Sequence, residues 1–182
     1  MILASNSANV AKAAEVLRSG GVVVAPTGTI MGIVARADCP AAVEKVCALK
    51  SRARGKPLLV NAASIAMAAR VGIVGAKERE LLKNPLISVL LKARGGGRVG
   101  VRIPSDKTIL SLIKAVGAPL VSTSCNVAGK APAKDAAAAE RLFPKLLILE
   151  ATGPQTGEAS TIVRVERSKV VVVRGASTRR PA

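Results

Sequence analysis

The spacing of apolar residues changes between two periods along the chain. Apolar residues recur every three or four positions over residues 10–17, and Gly20 follows them, which predicts an amphipathic helix with a glycine stop. The next segment, Val22–Ala25, is a short β-branched run closed by Pro26, as in a buried strand. Helical spacing returns over residues 109–116. Helices therefore alternate with strands.

The remaining elements follow the same two patterns. Further helices are predicted over Pro40–Lys50, 63–70, 76–83 and 134–143. Further strands are predicted over Leu58–Val60, Ile87–Leu91, Val99–Ile103, Pro119–Val121, 146–149, 161–165 and 169–173. Gly95-Gly96-Gly97 predicts a hairpin turn, and the last two strands should form an antiparallel hairpin. We expect an α/β fold in one domain over residues 1–182, a twisted mixed sheet flanked by helices with a core over about 10–176 and a short basic tail.

Composition limits the environment of the chain. The hydrophobic fraction is 49%, yet Phe143 is the only aromatic residue, so packing depends on Val, Ile, Leu and Ala. Three cysteines without a paired spacing, and no histidine, argue against a zinc site and for a reduced, cytoplasmic setting with Cys39 and Cys47 as small buried residues. No secretory signal is visible, and Pro26 interrupts the longest apolar stretch, so we expect a soluble protein without a membrane span.

The charge balance points to anionic partners. Lys and Arg total 28 against 11 Asp and Glu, a formal net charge of +17, which suits nucleic acid, phosphorylated small molecules or an acidic protein. Most of these cations are best explained as a solvated surface. The densest cluster places four cations within seven residues, beside a glycine and before an apolar run, which suits a phosphate-bearing ligand: Lys50, Arg52, Arg54 and Lys56.

The missing residue types exclude most catalytic strategies. Ser-His and Cys-His nucleophiles need a histidine, and the chain has none. It also lacks a G-x-x-x-x-G-K-[ST] phosphate loop and carboxylate-rich metal spacing. The remaining chemistry needs no strong protein base: an anionic nucleophile attacks phosphorus while cations stabilise the transferred charge.

Polar segments adjoin several predicted strands. Pro26–Thr29 and Ser122–Asn126 follow strands and Ser160-Thr161 begins one, so their hydroxyl and amide groups are expected to converge at one sheet edge. Any single segment more often caps a helix or closes a turn. Arg102 alternates with valines, and its side chain should lie on the opposite face. Such an arginine, like Arg174, is commonly a surface ion-pair residue, but the scarcity of acids favours an external anion.

Seven segments, in order, resemble the YrdC-type family of threonylcarbamoyl-AMP synthases, over residues 10–176. The first three are Gly20–Gly32, similar to G-G-x-V-x-x-P-T-E-T-x-Y-G, and then Lys50-Ser51-Arg52 and Lys56-Pro57-Leu58, which together are similar to K-x-R-x-x-x-x-P-L. The other four are Val101–Pro104; Ser122–Asn126, similar to S-T-S-A-N; Ser160–Val163; and Arg174-Gly175-Ala176, similar to R-P-G-A. Each fragment alone is weak evidence. Their common order and spacing make the match specific.

The resemblance implies a fold and an activity. Members have one α/β domain with a basic concave groove and condense L-threonine, bicarbonate and ATP into threonylcarbamoyl-AMP and pyrophosphate. A partner complex then transfers the threonylcarbamoyl group to a tRNA adenosine. Mg²⁺ would be carried by the ATP phosphates, since no carboxylate cage is evident. The carbamate of threonine is already an anion, which agrees with chemistry that needs no protein base.

The resemblance also assigns residues. The catalytic residues are Lys50 and Arg52, which contact the nucleotide phosphates together with Lys56. Ser124, Asn126 and Arg174 complete the ATP site, with Arg98 as a further nucleotide-side residue. The threonine-binding positions are Thr29, Asn61, Arg102, Ser122 and Ser160. No protein metal site is implied. All these predictions require that Lys50, Arg52, Arg102 and Arg174 converge on one pocket.

Three departures distinguish this chain from the family pattern. Gly28 replaces the usual glutamate, Met31 replaces the usual tyrosine, and the W-P-G-P-L-T segment is reduced to residues 83–87. The cationic residues remain, so fold and phosphate binding are expected to persist more securely than full activity.

Two other functions fit parts of the sequence. The charge is compatible with an RNA-binding module that lacks catalysis, although aromatic stacking residues are missing. A carbamoyl-adenylate enzyme, as in hydrogenase maturation, would share the fold, but such domains usually lie within longer chains.

Overall fold

The computed structural model describes residues 1–50, 58–167 and 169–175, and the elements of these ranges alternate as the sequence predicts. The helices are α1 Ser7–Arg18, α2 Pro40–Leu49, α3 Ile65–Val71, α4 Ala76–Leu81, α5 Lys107–Val116 and α6 Ala136–Leu142. The strands are β1 Ile2–Leu3, β2 Val23–Pro26, β3 Met31–Arg36, β4 Leu59–Asn61, β5 Gly72–Ile73, β6 Ile87–Ala93, β7 Arg98–Arg102, β8 Leu120–Ser124, β9 Leu147–Leu149, β10 Thr161–Glu166 and β11 Lys169–Arg174.

The described strands form one mixed sheet. Their order is β1-β9-β2-β3-β8-β4-β7-β6-β10-β11, with β5 paired to β6. β4 lies parallel to β7 and β6 parallel to β10, whereas the β6–β7 and β10–β11 pairs are antiparallel hairpins. The predicted mixed sheet and both predicted hairpins are thus confirmed.

Strand β3 is the main element that the sequence patterns do not predict. Its residues are almost all buried, and it pairs with β2 on one side and β8 on the other. A strand covered on both faces has no alternation of apolar and polar residues to reveal it. The predicted loop at Ser122–Asn126 is also corrected, because residues 122–124 belong to β8.

Helices cover the two faces of the sheet differently. On the first face, α2, α3 and α6 pack in one core cluster with residues such as Val89, Val101 and Val163. On the second face, α1 and α5 pack over β2, β3, β8 and β9 in a separate cluster. Because side chains alternate along a strand, Leu90 and Gly100 lie on the second face, beyond the part that α1 and α5 cover.

The structure bears on two of the sequence predictions, one about the burial of the cysteines and one about a membrane span. Cys39 and Cys47 are half-buried rather than buried, and Cys125 is the buried cysteine among the three. Within the described ranges, none of the helices has the length and apolar character needed to cross a bilayer.

The C-terminus of α5 provides a test of the fold. Gly117 has φ +75 and donates its backbone N–H to Ile113, so it closes the helix in the left-handed region. We expect Gly117→Ala to lower the free energy of unfolding by about 1–2 kcal/mol, the cost of that conformation for an L-residue. Urea unfolding would measure the loss.

The matched control is Gly95→Ala in the β6–β7 turn. No atom lies within 4 Å of an added Cβ at either position, and Gly95 has no left-handed φ. An equal loss in both variants would contradict the conformational explanation.

Candidate functional site

A cavity of about 420 Å³ opens on the uncovered part of the second face. It is lined by residues from β3, β4, β6, β7, β8, β10 and β11 and from the turn that follows β2. Its polar lining consists of Thr27, Thr29, Arg102, Ser122, Thr123, Ser124, Ser160 and Arg174. Leu58, Leu59, Leu90, Ile162 and Val173 provide apolar walls. Polar groups that converge in a largely apolar cavity are typical of a small-molecule site.

Arg102 is the most unusual residue of the cavity, because this charged residue is only 2% exposed. One terminal nitrogen donates to Thr29 Oγ1 at 3.0 Å, and the other donates to the Thr27 carbonyl at 2.6 Å and to Asn61 Oδ1 at 3.4 Å. Its Nε is buried and has no hydrogen-bond partner among the described residues. These contacts hold the guanidinium in place and use three of its five N–H donors, so the Nε donor is left unused.

The charge of Arg102 is not neutralised within the described part of the fold. All three of its hydrogen-bond acceptors are neutral oxygens, and no carboxylate forms an ion pair with it there. Burial lowers the pKa of Arg102 to about 10, while the charge of Asp106 raises it in part. The side chain therefore stays protonated at neutral pH. A buried cation with a free donor is suited to an anion that enters from the cavity.

Lys50 lies next to the other end of the cavity lining. It caps the C-terminus of α2 and is 7% exposed. Its Nζ donates to the Ser124 carbonyl at 2.9 Å, to Ser124 Oγ at 3.2 Å and to the Asn126 carbonyl at 3.1 Å, and it also contacts Asn126 Oδ1. Ser124 in turn donates to Asn126 Oδ1 at 2.6 Å. The lysine thus anchors its positive charge at the C-terminal end of β8, where Ser124 lines the cavity.

A turn over residues 27–29 supports Arg102 and is itself held by the connection between β9 and β10. Gln155 Oε1 accepts from the backbone N–H groups of Thr27 at 3.2 Å and Gly28 at 2.9 Å. Its Nε2 donates to Asp106 Oδ2 at 3.4 Å. Gly157 N donates to the Thr29 carbonyl at 2.8 Å. One distant segment therefore fixes the turn whose oxygens receive the Arg102 fork.

Hydrogen bonds also fix the polar side chains around Arg102. Asn61 Nδ2 donates to Ser122 Oγ at 2.7 Å, which leaves Asn61 Oδ1 for Arg102. The Ser160 and Ser88 hydroxyls lie 2.7 Å apart, and Arg174 donates to the Ser160 carbonyl at 3.4 Å. The chain therefore presents a pre-organised set of hydroxyl, amide and guanidinium groups.

The structure brings most of the sequence-predicted site residues together. Six line the cavity and three more are hydrogen-bonded to lining residues: Thr29, Arg102, Ser122, Ser124, Ser160 and Arg174, then Lys50, Asn61 and Asn126. Arg52 and Lys56 lie outside the described residues. The alternative that Arg102 is a surface ion-pair residue is wrong, because the residue is 2% exposed and forms no ion pair within the described part of the chain.

Arg98 is the residue that the structure does not place with the others. It begins β7, is exposed, and lies four residues from Arg102, which separates the two Cα atoms by about 13 Å along the strand. Its position lines a second depression instead of the cavity. Arg98 and Arg102 therefore lie on the same face of β7 but do not line the same cavity.

Two residues of the site were not assigned from the sequence. Thr27 lies in the Gly20–Gly32 segment, and the family resemblance assigns no ligand contact to it. Its carbonyl accepts a hydrogen bond from Arg102. Gln155 is the only glutamine of the chain, and a single glutamine in a glycine-rich loop carries no signal of its contact with a turn 127 residues away.

Cys125 does not act as a nucleophile in this arrangement. Burial raises the pKa of its thiol to about 11, against the opposing effect of Lys50. The thiol is therefore protonated at neutral pH, and a protonated thiol is a weak nucleophile. Within the described ranges, no group of three His, Cys, Asp or Glu side chains is placed to hold a metal ion.

Comparison with known proteins identifies the family. A family model named Sua5/YciO/YrdC, with the description "Telomere recombination", matches residues 15–176. The chain belongs to the Sua5/YciO/YrdC family. The match covers most of the chain, and it includes the turn, Lys50 and the β8 segment from which the described site is built.

Individual family members show how far the likeness extends. A rat protein named threonylcarbamoyl-AMP synthase is 33% identical over 76% of this chain and 53% of its own length. One of the same name from Stenotrophomonas maltophilia is 31% identical over 75% of this chain and 80% of its own. The Pyrococcus abyssi Sua5 structure with L-threonine has a TM-score of 0.88 at 24% identity, covering 96% of this chain and 57% of that one. The chain spans about half the length of several curated relatives that it matches.

The structure shows the surroundings of two residues that depart from the family pattern, Gly28 and Met31. Gly28 has φ +80, and a Cβ there would lie 3.1 Å from Asp106 Cβ, so its conformation and surroundings both suit glycine. Met31 is 1% exposed and packs in the first-face core. Neither Gly28 nor Met31 is among the residues that line the cavity.

Replacing Arg102 by methionine tests whether its charge serves stability. Because burial holds the folded-state pKa below that of an exposed arginine, the charge costs stability at every pH below about 10, and the cost fades as pH rises through that value. We expect Arg102→Met to leave the free energy of unfolding within about 1 kcal/mol of the wild type, or to raise it. Urea unfolding at pH 7 would measure the difference.

Arg36→Met is the matched control. Arg36 forms two hydrogen bonds with Asp38, at 2.9 and 2.8 Å, and its loss should lower stability by roughly 0.5 kcal/mol. A loss of several kcal/mol in Arg102→Met would show that Arg102 is a structural brace.

Proposed function

We propose that this chain condenses L-threonine, bicarbonate and ATP into threonylcarbamoyl-AMP and pyrophosphate, with Mg²⁺ carried by the ATP phosphates. Membership of the family supports the proposal, as do the names of its relatives. The observation that carries it is the buried Arg102 guanidinium, which has an unused donor beside a cavity of about 420 Å³. Such a group needs an anionic ligand, and an amino-acid carboxylate supplies one.

In this proposal the threonine carboxylate is bound by Arg102. The fork geometry of a guanidinium matches a carboxylate, and the low exposure strengthens the interaction. Asn61 and Ser122 flank it through their mutual hydrogen bond of 2.7 Å. Thr29 and Ser160 add hydroxyl groups that can bind the amino or hydroxyl group of threonine.

The nucleotide is assigned to the space between β8 and β11, which lie towards opposite ends of the strands that line the cavity. Lys50 provides a fixed charge beside Ser124 and Asn126, and Arg174 lines the cavity across from them. Arg52 and Lys56 are assigned to the phosphates by the family resemblance alone. Cations around the α-phosphate stabilise the negative charge that accumulates during its substitution.

The chemistry proposed for this site is nucleophilic substitution at phosphorus. The threonine amine and bicarbonate give a carbamate and water, and a carbamate oxygen then attacks the α-phosphate. A new oxygen–phosphorus bond forms as the bond to pyrophosphate breaks. Because the nucleophile already carries a negative charge, positioning and charge stabilisation replace proton removal by a protein base.

The same proposal includes the compartment in which the chain acts and the step that follows its reaction. Residues 1–182 act as one domain in the cytoplasm. The product is an activated acyl adenylate that water hydrolyses, so a transfer complex that delivers the threonylcarbamoyl group to a tRNA adenosine must follow directly.

Threonine-dependent release of pyrophosphate from ATP in bicarbonate buffer tests the activity. Arg102→Lys keeps the charge but loses the planar fork, so we expect the KM for threonine to rise roughly 10- to 100-fold. The KM for ATP should change little. Steady-state kinetics with each substrate varied in turn would measure both effects.

A second assay separates this activity from carbamoyl-adenylate formation. Carbamoyl phosphate replaces threonine and bicarbonate in a parallel assay. Turnover only in that assay would reassign the chain to carbamoyl-adenylate formation, and a wild-type protein that binds neither ATP nor threonine would end the proposal.

Gln155 supplies a second kinetic test. Gln155→Leu removes the acceptor of the Thr27 and Gly28 N–H groups, so the turn that holds Arg102 should loosen. We expect the KM for threonine to rise about 10-fold, the equivalent of one net hydrogen bond, with the KM for ATP nearly unchanged.

Thr152→Val is the control within the same loop. Thr152 contacts Thr108 of α5 at 3.4 Å and does not touch the turn. Equal changes in the threonine KM for both variants would mean that general loosening of the loop, and not the Gln155 contact, is responsible.

A further inference from the structure

A pair of buried hydroxyl groups lies where β6 and β10 form the wall of the cavity. The Ser88 and Ser160 Oγ atoms are 2.7 Å apart. Ser160 is 4% exposed and lines the cavity, whereas Ser88 is 0% exposed and is not among the lining residues. Ser88 is paired with Ile162 of β10, which is a cavity wall residue, so Ser88 lies on the cavity side of β6.

Ser88 is a polar residue in an otherwise apolar segment of β6. Its neighbours in the strand include Ile87, Val89 and Leu90, and Leu90, the next residue but one on the chain, is itself a wall of the cavity. Burying a hydroxyl group costs free energy unless the group is hydrogen-bonded. Among the described residues, the Ser160 hydroxyl is the hydrogen-bond partner of the Ser88 side chain. The contact with Ser160 therefore explains why a serine can occupy this position.

The burial of Ser88 determines which of the two hydroxyl groups donates. Each hydroxyl has one proton, so if Ser160 donated to Ser88, the Ser88 proton would have no acceptor within the described fold. Leaving a buried donor unpaired costs the full desolvation penalty of that group. If Ser88 donates instead, its proton is paired, and the Ser160 proton is free to point into the cavity. The second arrangement is therefore the favourable one.

We propose that Ser88 is a positioning residue that makes Ser160 a hydrogen-bond donor towards the ligand. Ser88 does not touch the ligand; its hydroxyl occupies one lone pair of Ser160 Oγ and so directs the Ser160 proton at an oxygen atom of the ligand. The main chain of Ser160 is held separately, because its carbonyl accepts from Arg174 at 3.4 Å. In the proposed function, on which this inference rests, the ligand is L-threonine, and its carboxylate and hydroxyl oxygens are acceptors.

Steady-state kinetics of the full chain test the role of Ser88 in ligand binding. We expect Ser88→Ala to raise the KM for threonine about 5-fold, the equivalent of one net hydrogen bond, with the KM for ATP nearly unchanged. Because Ser88 acts through Ser160, adding Ser88→Ala to Ser160→Ala should leave the threonine KM at the value of Ser160→Ala alone. A further rise in the double variant would overturn the proposal, and so would an unchanged threonine KM in Ser88→Ala.

Thr108→Val is the matched control, because it also removes a buried hydroxyl group from a hydroxyl pair. Thr108 is 3% exposed, and its Oγ1 lies 3.4 Å from that of Thr152, but neither residue lines the cavity. The control should keep the wild-type KM for threonine. An equal rise in Thr108→Val and Ser88→Ala would mean that the loss of any buried hydroxyl weakens threonine binding through the fold, and it would overturn the positioning role.

Urea unfolding of the same variants tests the hydroxyl pair without any ligand. Ser160→Ala leaves the buried Ser88 proton without its acceptor, and adding Ser88→Ala removes that proton. The double variant should therefore unfold at a higher urea concentration than Ser160→Ala alone. An equal or lower midpoint would show that Ser88 has another partner and would overturn the assigned donor. A wild type that releases no pyrophosphate would refute the proposed function alone, because the unfolding midpoints do not depend on threonine.

Discussion

The burial of one uncompensated positive charge is the constraint on which this site depends. Arg102 is 2% exposed and is held by neutral oxygens of Thr27, Thr29 and Asn61. Such a charge costs free energy, and an anion bound beside it would offset that cost. The surrounding hydrogen bonds, from the Gln155 contact to the Asn61–Ser122 pair, keep the guanidinium oriented while that cost is borne. Stability and ligand affinity are thus opposed at this one residue.

The distribution of helices over the sheet explains where the ligand can enter. The first face is packed by α2, α3 and α6, and the second face is packed by α1 and α5 only over β2, β3, β8 and β9. Strand alternation turns Val101 into the first-face core and Arg102 towards the cavity. The uncovered part of one sheet face therefore provides the candidate catalytic cavity.

Much of the fold and part of the site follow from local patterns. The helix that ends at Gly117 and the hairpin around Gly95-Gly96-Gly97 each have a turn or cap signal in their own residues. The cavity residues Ser122, Ser124 and Ser160 belong to motifs with the family order. Strand β3 could not be predicted in this way, because burial on both faces removes the polar positions that mark a strand. The Gln155 contact is equally hidden, since hydrogen bonds between distant segments leave no periodic trace.

The amino-acid sequence by itself determined the alternation of helices and strands, the excess of positive charge, the lack of a histidine base and the set of motifs that indicates the family. Only the tertiary structure decided which cations share a site. Arg98 and Arg102 are close in sequence and on one strand face, yet they line different depressions, because an extended chain advances about 3.3 Å per residue. Arg102 and Arg174 are 72 residues apart, yet both line one cavity, since β7 and β11 belong to one sheet and both residues lie on the same face of it. Strand pairing sets these distances, and it depends on contacts across the whole chain.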